Sequence, residues 1–262
     1  MLTLGPADAP SGDLLLVHGN DLGGAFYRPL GEALVARGLR VLLPTLAGFH
    51  DAPPLAAPSW QALVATLGPP VAALRPGATL AGHSLGGLFA VLCAIGRPER
   101  VARLVLLEPL VLPSRRFARA AGHRYLRDVL ARDTGPFQNW TGSFLRVAEP
   151  ARFPGAALAL HLEARARGDR DTGRTLFETL EAQYPVALDR LTVPILLLSG
   201  CKSGLRMRLM MAILRRQLRR AAPRVEHVRL AHAAHWMANE VDDAIAEHIA
   251  RFVKDTPRGA AR

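Results

Sequence analysis

Short apolar runs that alternate with longer segments of helical spacing are the feature that most constrains how this chain can fold. Asp13–His18 contains four apolar residues in succession, as expected for a strand that is covered on both faces. Similar runs recur, and amphipathic stretches that end near glycine or proline separate them. This alternation predicts an α/β fold with a mostly parallel, doubly wound sheet. The predicted strands are Asp13–His18, Arg40–Leu43, Ala78–Ala81, Val101–Leu107, Pro194–Leu198 and Val225–Leu230, with Leu2–Leu4 as a candidate for one more.

Helices between the strands and one helical insertion complete the predicted organisation. Ser59 is a good N-cap for a helix over Trp60–Leu74. Residues 111–190 contain no strand-like run, only arginine- and alanine-rich helical stretches broken by glycine and proline. We therefore expect residues 1–110 and 191–262 to form one core, with residues 111–190 inserted as a helical cap. The other predicted helices are Tyr27–Arg37, Leu88–Ile95, Leu205–Arg220 and Asp242–Val253.

A serine flanked by glycines lies between a predicted strand and a predicted helix. The segment from Gly82 to Gly86 fits Gly-x-Ser-x-Gly, and the strand before it and the helix after it are the context that this motif requires. The serine of such a turn has a strained backbone, and larger residues two positions away would clash. The turn also directs the backbone N–H of Leu85 towards the space that faces the Ser84 hydroxyl. Ser84 is therefore a candidate nucleophile, and an ordinary turn with a capping serine is the alternative.

Two further segments offer the groups that a serine nucleophile needs. His18, Gly19 and Asn20 end the first clear strand, and the backbone N–H of Asn20 is our candidate for a second donor to a developing oxyanion. A glycine turn with no catalytic part is the alternative there. The general base should be a histidine that follows the last strand. His232 and His235 both do so, and we favour His235 because only a short loop separates it from the last helix.

In this order and spacing, the three elements resemble the α/β-hydrolase superfamily, and the resemblance covers nearly the whole chain. Ala233–Trp236 is similar to the Gly-x-Gly-His that usually precedes the last helix of the family. The resemblance implies Ser84 as nucleophile, His235 as base, and the N–H groups of Asn20 and Leu85 as the oxyanion hole. It implies a cap that shapes the acyl or alcohol pocket, and neither a metal nor an organic cofactor. A serine nucleophile excludes the relatives that attack with aspartate and favours acyl transfer.

The chain departs from the family pattern at the acid of the triad. Family members most often carry an aspartate just after the strand that is here Pro194–Leu198, but Ser199–Gly204 contains no carboxylate and Ser203 stands about where it is expected. Glu108 follows the neighbouring predicted strand, where some branches of the family, including certain haloalkane dehalogenases, place their acid. We hypothesise that Glu108 holds His235 in the correct tautomer. A salt bridge of Glu108 in the cap loop, a dyad without an acid and an inactive site are the alternatives.

The net charge of +11 raises the question of an anionic partner. Only Lys202 and Lys254 are lysines, and because we find no nucleic-acid-binding motif we expect no nucleic-acid partner. The densest basic stretch places four arginines on one face of a predicted helix. They are either the solvated side of an amphipathic helix or a docking surface for an acidic carrier protein or another anionic surface. These residues are Arg215, Arg216, Arg219 and Arg220.

The cysteines and the short apolar runs indicate the compartment. Cys93 and Cys201 are too few to define a disulfide framework, and neither lies in a metal-ligand spacing. No apolar run approaches the roughly 18–20 residues that cross a bilayer, and the first residues lack a signal-peptide pattern. We therefore expect a soluble, cytoplasmic protein without a transmembrane segment.

The combined motifs predict an enzyme. Its expected reaction is hydrolysis of a small-molecule carboxylic ester or thioester through an acyl-enzyme on Ser84, which makes it a serine esterase or thioesterase. Two alternatives stay open at this point. One is other acyl chemistry on the same scaffold, by an acyltransferase or an amide, lactone or carbon–carbon hydrolase. The other is a non-catalytic binding protein in which the triad has decayed.

Overall fold

A seven-stranded sheet forms the centre of the computed structural model, which describes residues 1–125, 163, 167–184 and 186–256. The strands are β1 (Leu2–Leu4), β2 (Asp13–Val17), β3 (Arg40–Leu43), β4 (Ala78–His83), β5 (Val101–Leu107), β6 (Ile195–Gly200) and β7 (Val225–Leu230). Their order across the sheet is β1-β3-β2-β4-β5-β6-β7. Strand β1 pairs antiparallel with β3, and every other neighbouring pair is parallel. The predicted mostly parallel sheet is thereby confirmed.

Helices cover both faces of this sheet, as predicted for a doubly wound fold. They are α1 (Arg28–Val35), α2 (Trp60–Thr66), α3 (Gly68–Ala72), α4 (Leu85–Gly96), α5 (Arg115–Tyr125), α6 (Arg170–Glu178), α7 (Leu205–Ala221) and α8 (Asp242–Asp255). Short 3-10 turns lie at Gly24–Tyr27, Leu180–Gln183 and Leu188–Arg190. Within the described part of the chain, every helix is too short or too polar to span a membrane.

The predicted single helix over Trp60–Leu74 is wrong. The structure has two helices there, α2 and α3, which meet at Leu67. Pro69 and Pro70 have no backbone N–H, so they cannot continue an α-helical ladder, but they are tolerated in the first turn of a new helix. The predicted cap at Ser59 is confirmed, because its hydroxyl accepts a hydrogen bond from the Ala62 N–H at 3.1 Å.

Two apolar layers sandwich the sheet, and the central strands contribute to both. Ile195 and Leu197 of β6 pack into the layer that contains α4 and α7, whereas Leu196 and Leu198 face the layer that contains α1 and α8. A strand buried on both faces needs no polar alternation. This is why the apolar runs in the sequence predict these strands, and it leaves the carboxyl ends of the strands as the edge where polar groups can gather.

The predicted cap over residues 111–190 lies only partly within the described residues. Helices α5 and α6 belong to it, whereas residues 126–162, 164–166 and 185 lie outside the described part. The indole N–H of Trp60 donates to the Leu176 carbonyl at 3.0 Å, and the Asp169 N–H donates to the Gly48 carbonyl at 2.8 Å. These bonds tie α6 to the core, and the limits of the cap stay a prediction.

A buried ion cluster joins the first residues of neighbouring strands, at the edge of the sheet opposite to the nucleophile turn. The Asp13 side chain is fully buried, and its carboxylate accepts hydrogen bonds from Nε of Arg40 at 3.1 Å and Nε of Arg75 at 2.8 Å. The Arg75 backbone N–H adds a third bond at 2.7 Å. Although burial raises the pKa of Asp13, the hydrogen bonds from Arg75 and Arg40 outweigh it, and the pKa lies below its ordinary 3.8.

Replacing Asp13 by asparagine is expected to lower the free energy of unfolding at pH 7 by about 2–3 kcal/mol, because two guanidinium groups lose their buried partner. The lowered pKa means that the ionised carboxylate stabilises the folded state above the unfolded pKa, and that this contribution is lost as the pH falls through the folded pKa. Urea unfolding of both proteins should therefore give a difference that is full at pH 7 and shrinks below the ordinary pKa of 3.8. A difference independent of pH would contradict this origin.

Candidate active site

The glycine-flanked serine occupies a tight turn between β4 and α4. Ser84 has φ +51° and ψ −118°, a left-handed conformation that is strained for a residue with a side chain. A Cβ atom on Gly82 would lie 2.2 Å from the Gly86 carbonyl oxygen, and one on Gly86 would lie 2.2 Å from the Val17 carbonyl oxygen. Only glycine fits at either position, which is the physical reason for the motif. The turn holds Ser84 at the carboxyl end of β4.

Two hydrogen-bond contacts link the side chains of Ser84, His235 and Glu108. Oγ of Ser84 lies 3.1 Å from Nε2 of His235, and Nδ1 of His235 lies 3.0 Å from Oε2 of Glu108. An ionised carboxylate only accepts hydrogen bonds, so Nδ1 carries the proton and Nε2 presents its lone pair to the serine hydroxyl. The three residues follow β4, β7 and β5, and they meet at the carboxyl edge of the sheet. His232, the other candidate base, is exposed.

Glu108 is held in place by the loop that follows β6. It has φ +38° and is almost fully buried. While Oε2 faces His235, Oε1 accepts hydrogen bonds from the Gly200 N–H at 2.8 Å and from the Ser203 hydroxyl at 2.6 Å. Strands β5 and β6 are neighbours, as the hypothesis for Glu108 requires. The serine that stands where an aspartate is expected therefore donates a hydrogen bond to a carboxylate on the next strand.

The two candidate oxyanion donors belong to segments that adjoin Ser84. Leu85 is the first residue of α4, where a backbone N–H has no carbonyl to bond within its own helix. A Cβ atom on Gly19 would lie 3.5 Å from Cβ of Ser84, which puts the peptide that leads into Asn20 beside the nucleophile. Asn20 is itself buried. The arrangement could supply two N–H groups to one oxygen atom.

The structural role of the buried histidines near the site was not predicted from the sequence. Nε2 of His18 accepts the Leu46 N–H at 3.0 Å, so Nδ1 is the donor to the Gly19 carbonyl at 2.8 Å. Burial lowers the pKa of His18 to about 4 and keeps the ring neutral. His18 thereby links the loops that follow β2 and β3. Its only sequence signal is its place at a strand end beside a glycine.

The four arginines singled out by the sequence, here called the arginine patch, lie in the second half of α7. Arg216, Arg219 and Arg220 are exposed and Arg215 is half-buried. Helix α7 begins beside Ser203 and runs away from the site edge. At 1.5 Å per residue, the patch lies about 15–23 Å along the helix from its start. Nearer the site, α7 exposes 79% of Leu205 and 60% of Leu209.

The described residues contain no group of three or more histidine, cysteine or acidic side chains that could hold a metal ion.

The described residues include a second serine–histidine pair. Oγ of Ser199 lies 2.8 Å from Nε2 of His227. These side chains project from β6 and β7 on the side of α7, and neither lies at a glycine turn. The group formed by Ser84, His235 and Glu108 is therefore the stronger candidate for the active site.

Comparisons with known proteins agree with this architecture. The model of the alpha/beta hydrolase family matches residues 14–248. A pimeloyl-[acyl-carrier protein] methyl ester esterase from Aromatoleum aromaticum is 42% identical over 95 residues, which cover 36% of each chain. An esterase from Exiguobacterium antarcticum superimposes over 97% of this chain and 94% of its own, with a TM-score of 0.75 and 14% identity. An epoxide hydrolase from Bacillus megaterium superimposes over 97% and 95%, with a TM-score of 0.76 and 14% identity.

These matches support different levels of the conclusion. At such low identity, the two solved structures are evidence for the fold alone. The curated relative is matched over about a third of its length, so its activity does not transfer with the match. The family model, in contrast, extends from β2 into α8. The chain therefore belongs to the alpha/beta hydrolase family.

Proposed function

We propose that this protein is a serine hydrolase that cleaves a carboxylic ester or thioester through an acyl-enzyme on Ser84. One observation carries the proposal: the hydroxyl of Ser84, on a strained turn, lies 3.1 Å from a histidine nitrogen whose ring is oriented by a buried carboxylate. A weak nucleophile is activated in this way by an adjacent base that a third group holds in place. In this proposal His235 is the base and Glu108 is the acid.

The first half of the reaction forms the acyl-enzyme. Oγ of Ser84 bonds to the carbonyl carbon of the substrate while its proton passes to Nε2 of His235. The π electrons of the carbonyl move to its oxygen, which accepts hydrogen bonds from the N–H groups of Leu85 and Asn20. The charge of Glu108 stabilises the imidazolium. The carbonyl then re-forms, the bond to the leaving group breaks, and the imidazolium protonates the departing alcohol or thiol.

The second half releases the acid by the same steps with water as nucleophile. His235 accepts a proton from a water molecule, and the water oxygen bonds to the acyl carbon. Collapse of the second tetrahedral intermediate breaks the ester bond to Ser84, and His235 returns its proton to Oγ. The net change is the addition of water across the substrate ester, and the side chains return to their starting protonation states.

Intact-mass analysis after treatment with a fluorophosphonate tests the nucleophile. Wild type is expected to gain one phosphonyl group, and Ser84→Ala none, because only an activated serine reacts. Ser199→Ala is the matched control: it removes the other serine that contacts a histidine, and it should label like wild type. No adduct on folded wild type would contradict the proposal and favour a binding protein. An adduct retained by Ser84→Ala would contradict Ser84 as the nucleophile and indicate another activated side chain.

For the substrate, we propose an acyl ester carried on an acidic carrier protein. The relative from Aromatoleum aromaticum and a second one from Aliivibrio salmonicida, 31% identical over 118 residues, both carry the name of an esterase for an acyl-carrier-protein ester. Helix α7 adds physical support, since it exposes leucines near the site and arginines along its whole length. An acidic protein seated along α7 would pair with the arginine patch while its acyl group reaches Ser84.

Neutralising the arginine patch by four Arg→Gln changes is expected to lower kcat/KM for the carrier-bound ester about 10- to 100-fold at low salt. Hydrolysis of a small free ester should stay within twofold of wild type, because the patch lies at the far end of α7. Arg28→Gln/Arg251→Gln is a control on the opposite face of the sheet, where both arginines are also exposed. Unchanged kcat/KM for the carrier ester at low salt would exclude docking through the patch but not the chemistry on Ser84.

A further inference from the structure

A network of three buried hydrogen bonds lies next to Ser84 and His235. The Gly19 N–H donates to the Tyr27 hydroxyl at 3.1 Å, this hydroxyl lies 2.6 Å from Nδ1 of His83, and Nε2 of His83 lies 2.7 Å from the His235 carbonyl oxygen. The side chains of Tyr27 and His83 have no solvent exposure. Polar groups are buried to this extent only when they are hydrogen-bonded, and here every contact is made within the chain.

The direction of each bond follows from its partners. The His235 carbonyl can only accept, so Nε2 of His83 carries the hydrogen. The ring is neutral, because burial and the neighbouring His235 lower the pKa of His83 to about 3. Nδ1 of His83 is therefore an acceptor, and the Tyr27 hydroxyl must donate to it. Burial also raises the pKa of Tyr27, so the donated proton stays on the hydroxyl. Only one arrangement of hydrogens satisfies all three contacts.

This hydrogen-bond network connects three segments of the candidate site that lie outside the strands and α-helices. Gly19 immediately precedes the candidate oxyanion donor Asn20, and His83 immediately precedes the nucleophile Ser84. His235 lies in an irregular loop between β7 and α8. Loops of this kind are less firmly held than strands unless side chains tie them down. The link through Tyr27 and His83 is a buried connection that joins both the Gly19 loop and the His235 loop to the turn that bears the serine.

We propose that Tyr27 and His83 are positioning residues that set the oxyanion donor and the base at one common geometry around Ser84. The inference rests on the proposed function of Ser84, His235 and Asn20. Small errors of position are costly here, because the reaction needs the base and the oxyanion donors to be aligned in the same transition state. Neither residue is expected to touch substrate.

A neutral side chain at His83 suits the space beside His235 better than a charged one. The rings of His83 and His235 are 5.0 Å apart between centroids. His235 becomes positively charged during the reaction, and a cation at His83 would oppose that charge at short range. A histidine held neutral, in contact with a tyrosine hydroxyl and a carbonyl, holds the loops together without adding such a charge.

The experiment compares Tyr27→Phe with wild type by kcat per active site, where sites are counted by fluorophosphonate labelling taken to completion. This normalisation removes any loss from unfolded protein. We expect kcat per site to fall about 10- to 100-fold with KM within threefold, because the loop that bears an oxyanion donor loses its tether. The affinity for a trifluoromethyl ketone, which places an oxyanion beside the serine, should fall by a similar factor.

Two substitutions at His83 separate the two bonds of the ring. His83→Gln keeps a donor for the His235 carbonyl and loses the acceptor for Tyr27, whereas His83→Asn does the reverse. Both are expected to be less active per site than wild type. Because Tyr27→Phe and His83→Gln break the same bond, the double variant should lie within about threefold of the less active single variant, as for residues of one network.

Asp13→Asn is the control, since it also breaks buried hydrogen bonds but at the opposite edge of the sheet. Its kcat per site should equal that of wild type. Unchanged kcat per site in Tyr27→Phe, or effects of Tyr27→Phe and His83→Gln that multiply, would overturn the proposal. Failure of the proposed function would look different, because wild type itself would then not be labelled at Ser84.

Discussion

Glu108→Gln is expected to lower kcat by about 10⁴-fold, the effect seen when a triad acid is replaced by its amide. The reason lies in the donors on the far side of the carboxylate. Oε1 of Glu108 accepts hydrogen bonds from the Gly200 N–H and the Ser203 hydroxyl. In the variant, the amide oxygen satisfies these donors and the NH₂ group faces Nδ1 of His235. The histidine then carries its proton on Nε2 and cannot accept one from Ser84.

The measurement is kcat for a small ester, with circular dichroism and the melting temperature to verify folding. Glu240→Gln is a matched control on the histidine loop. Its Oε2 accepts the Ala234 N–H at 2.9 Å, a bond that an amide oxygen can keep, so we expect kcat within threefold of wild type. Activity of Glu108→Gln within tenfold of wild type would mean that Ser84 and His235 act as a dyad without an acid.

Moving the carboxylate to the neighbouring strand should restore part of the lost activity. The Ser203 hydroxyl lies 2.6 Å from the Glu108 carboxylate, so a carboxylate on residue 203 would start within reach of the same pocket. In the background of Glu108→Gln, the further change Ser203→Asp is expected to raise kcat at least about 100-fold, because it supplies an acceptor for the proton on Nδ1 of His235. In wild type, the same change should lower kcat, because two carboxylates would repel each other.

Ser203→Asn in the background of Glu108→Gln is the control for size and polarity, since it differs from aspartate only in charge and hydrogen bonding. It should restore no activity. If Ser203→Asp also fails to restore activity in a folded protein, a carboxylate after β6 does not reach His235 in this chain.

Local patterns predicted most of the fold. The strands were predictable because residues buried on both faces need no polar alternation, and the Ser84 turn was predictable because two backbone approaches exclude any side chain at Gly82 and Gly86. Pro69 and Pro70 cause the break between α2 and α3, because neither has a backbone N–H to continue the helix. The prediction of one helix gave the apolar spacing more weight than the two prolines, which cannot donate the hydrogen bonds that a helix needs.

The Tyr27–His83 contact and the location of the arginine patch were not predicted, because both depend on how distant parts of the chain are placed. Tyr27 and His83 are 56 positions apart, and a single buried polar pair leaves no periodicity in either segment. The arginine patch is similar: helical spacing places the four side chains on one face, but the patch's distance from Ser84 depends on the direction in which α7 runs from the site edge. Tertiary placement, rather than local propensity, determines both.

With Glu108 as the proposed acid, the proposed nucleophile and acid follow neighbouring strands, and the loop after β6 only completes the hydrogen bonds of the carboxylate. Ser84 and Glu108 belong to one βαβ unit, and the pairing of His83 with Leu107 across β4 and β5 sets their spacing. An acid after β6 would instead lie beyond residues 111–190, and its position would depend on how that segment returns to the sheet. Changes in residues 111–190 are therefore expected to leave the spacing between the backbones of Ser84 and Glu108 intact.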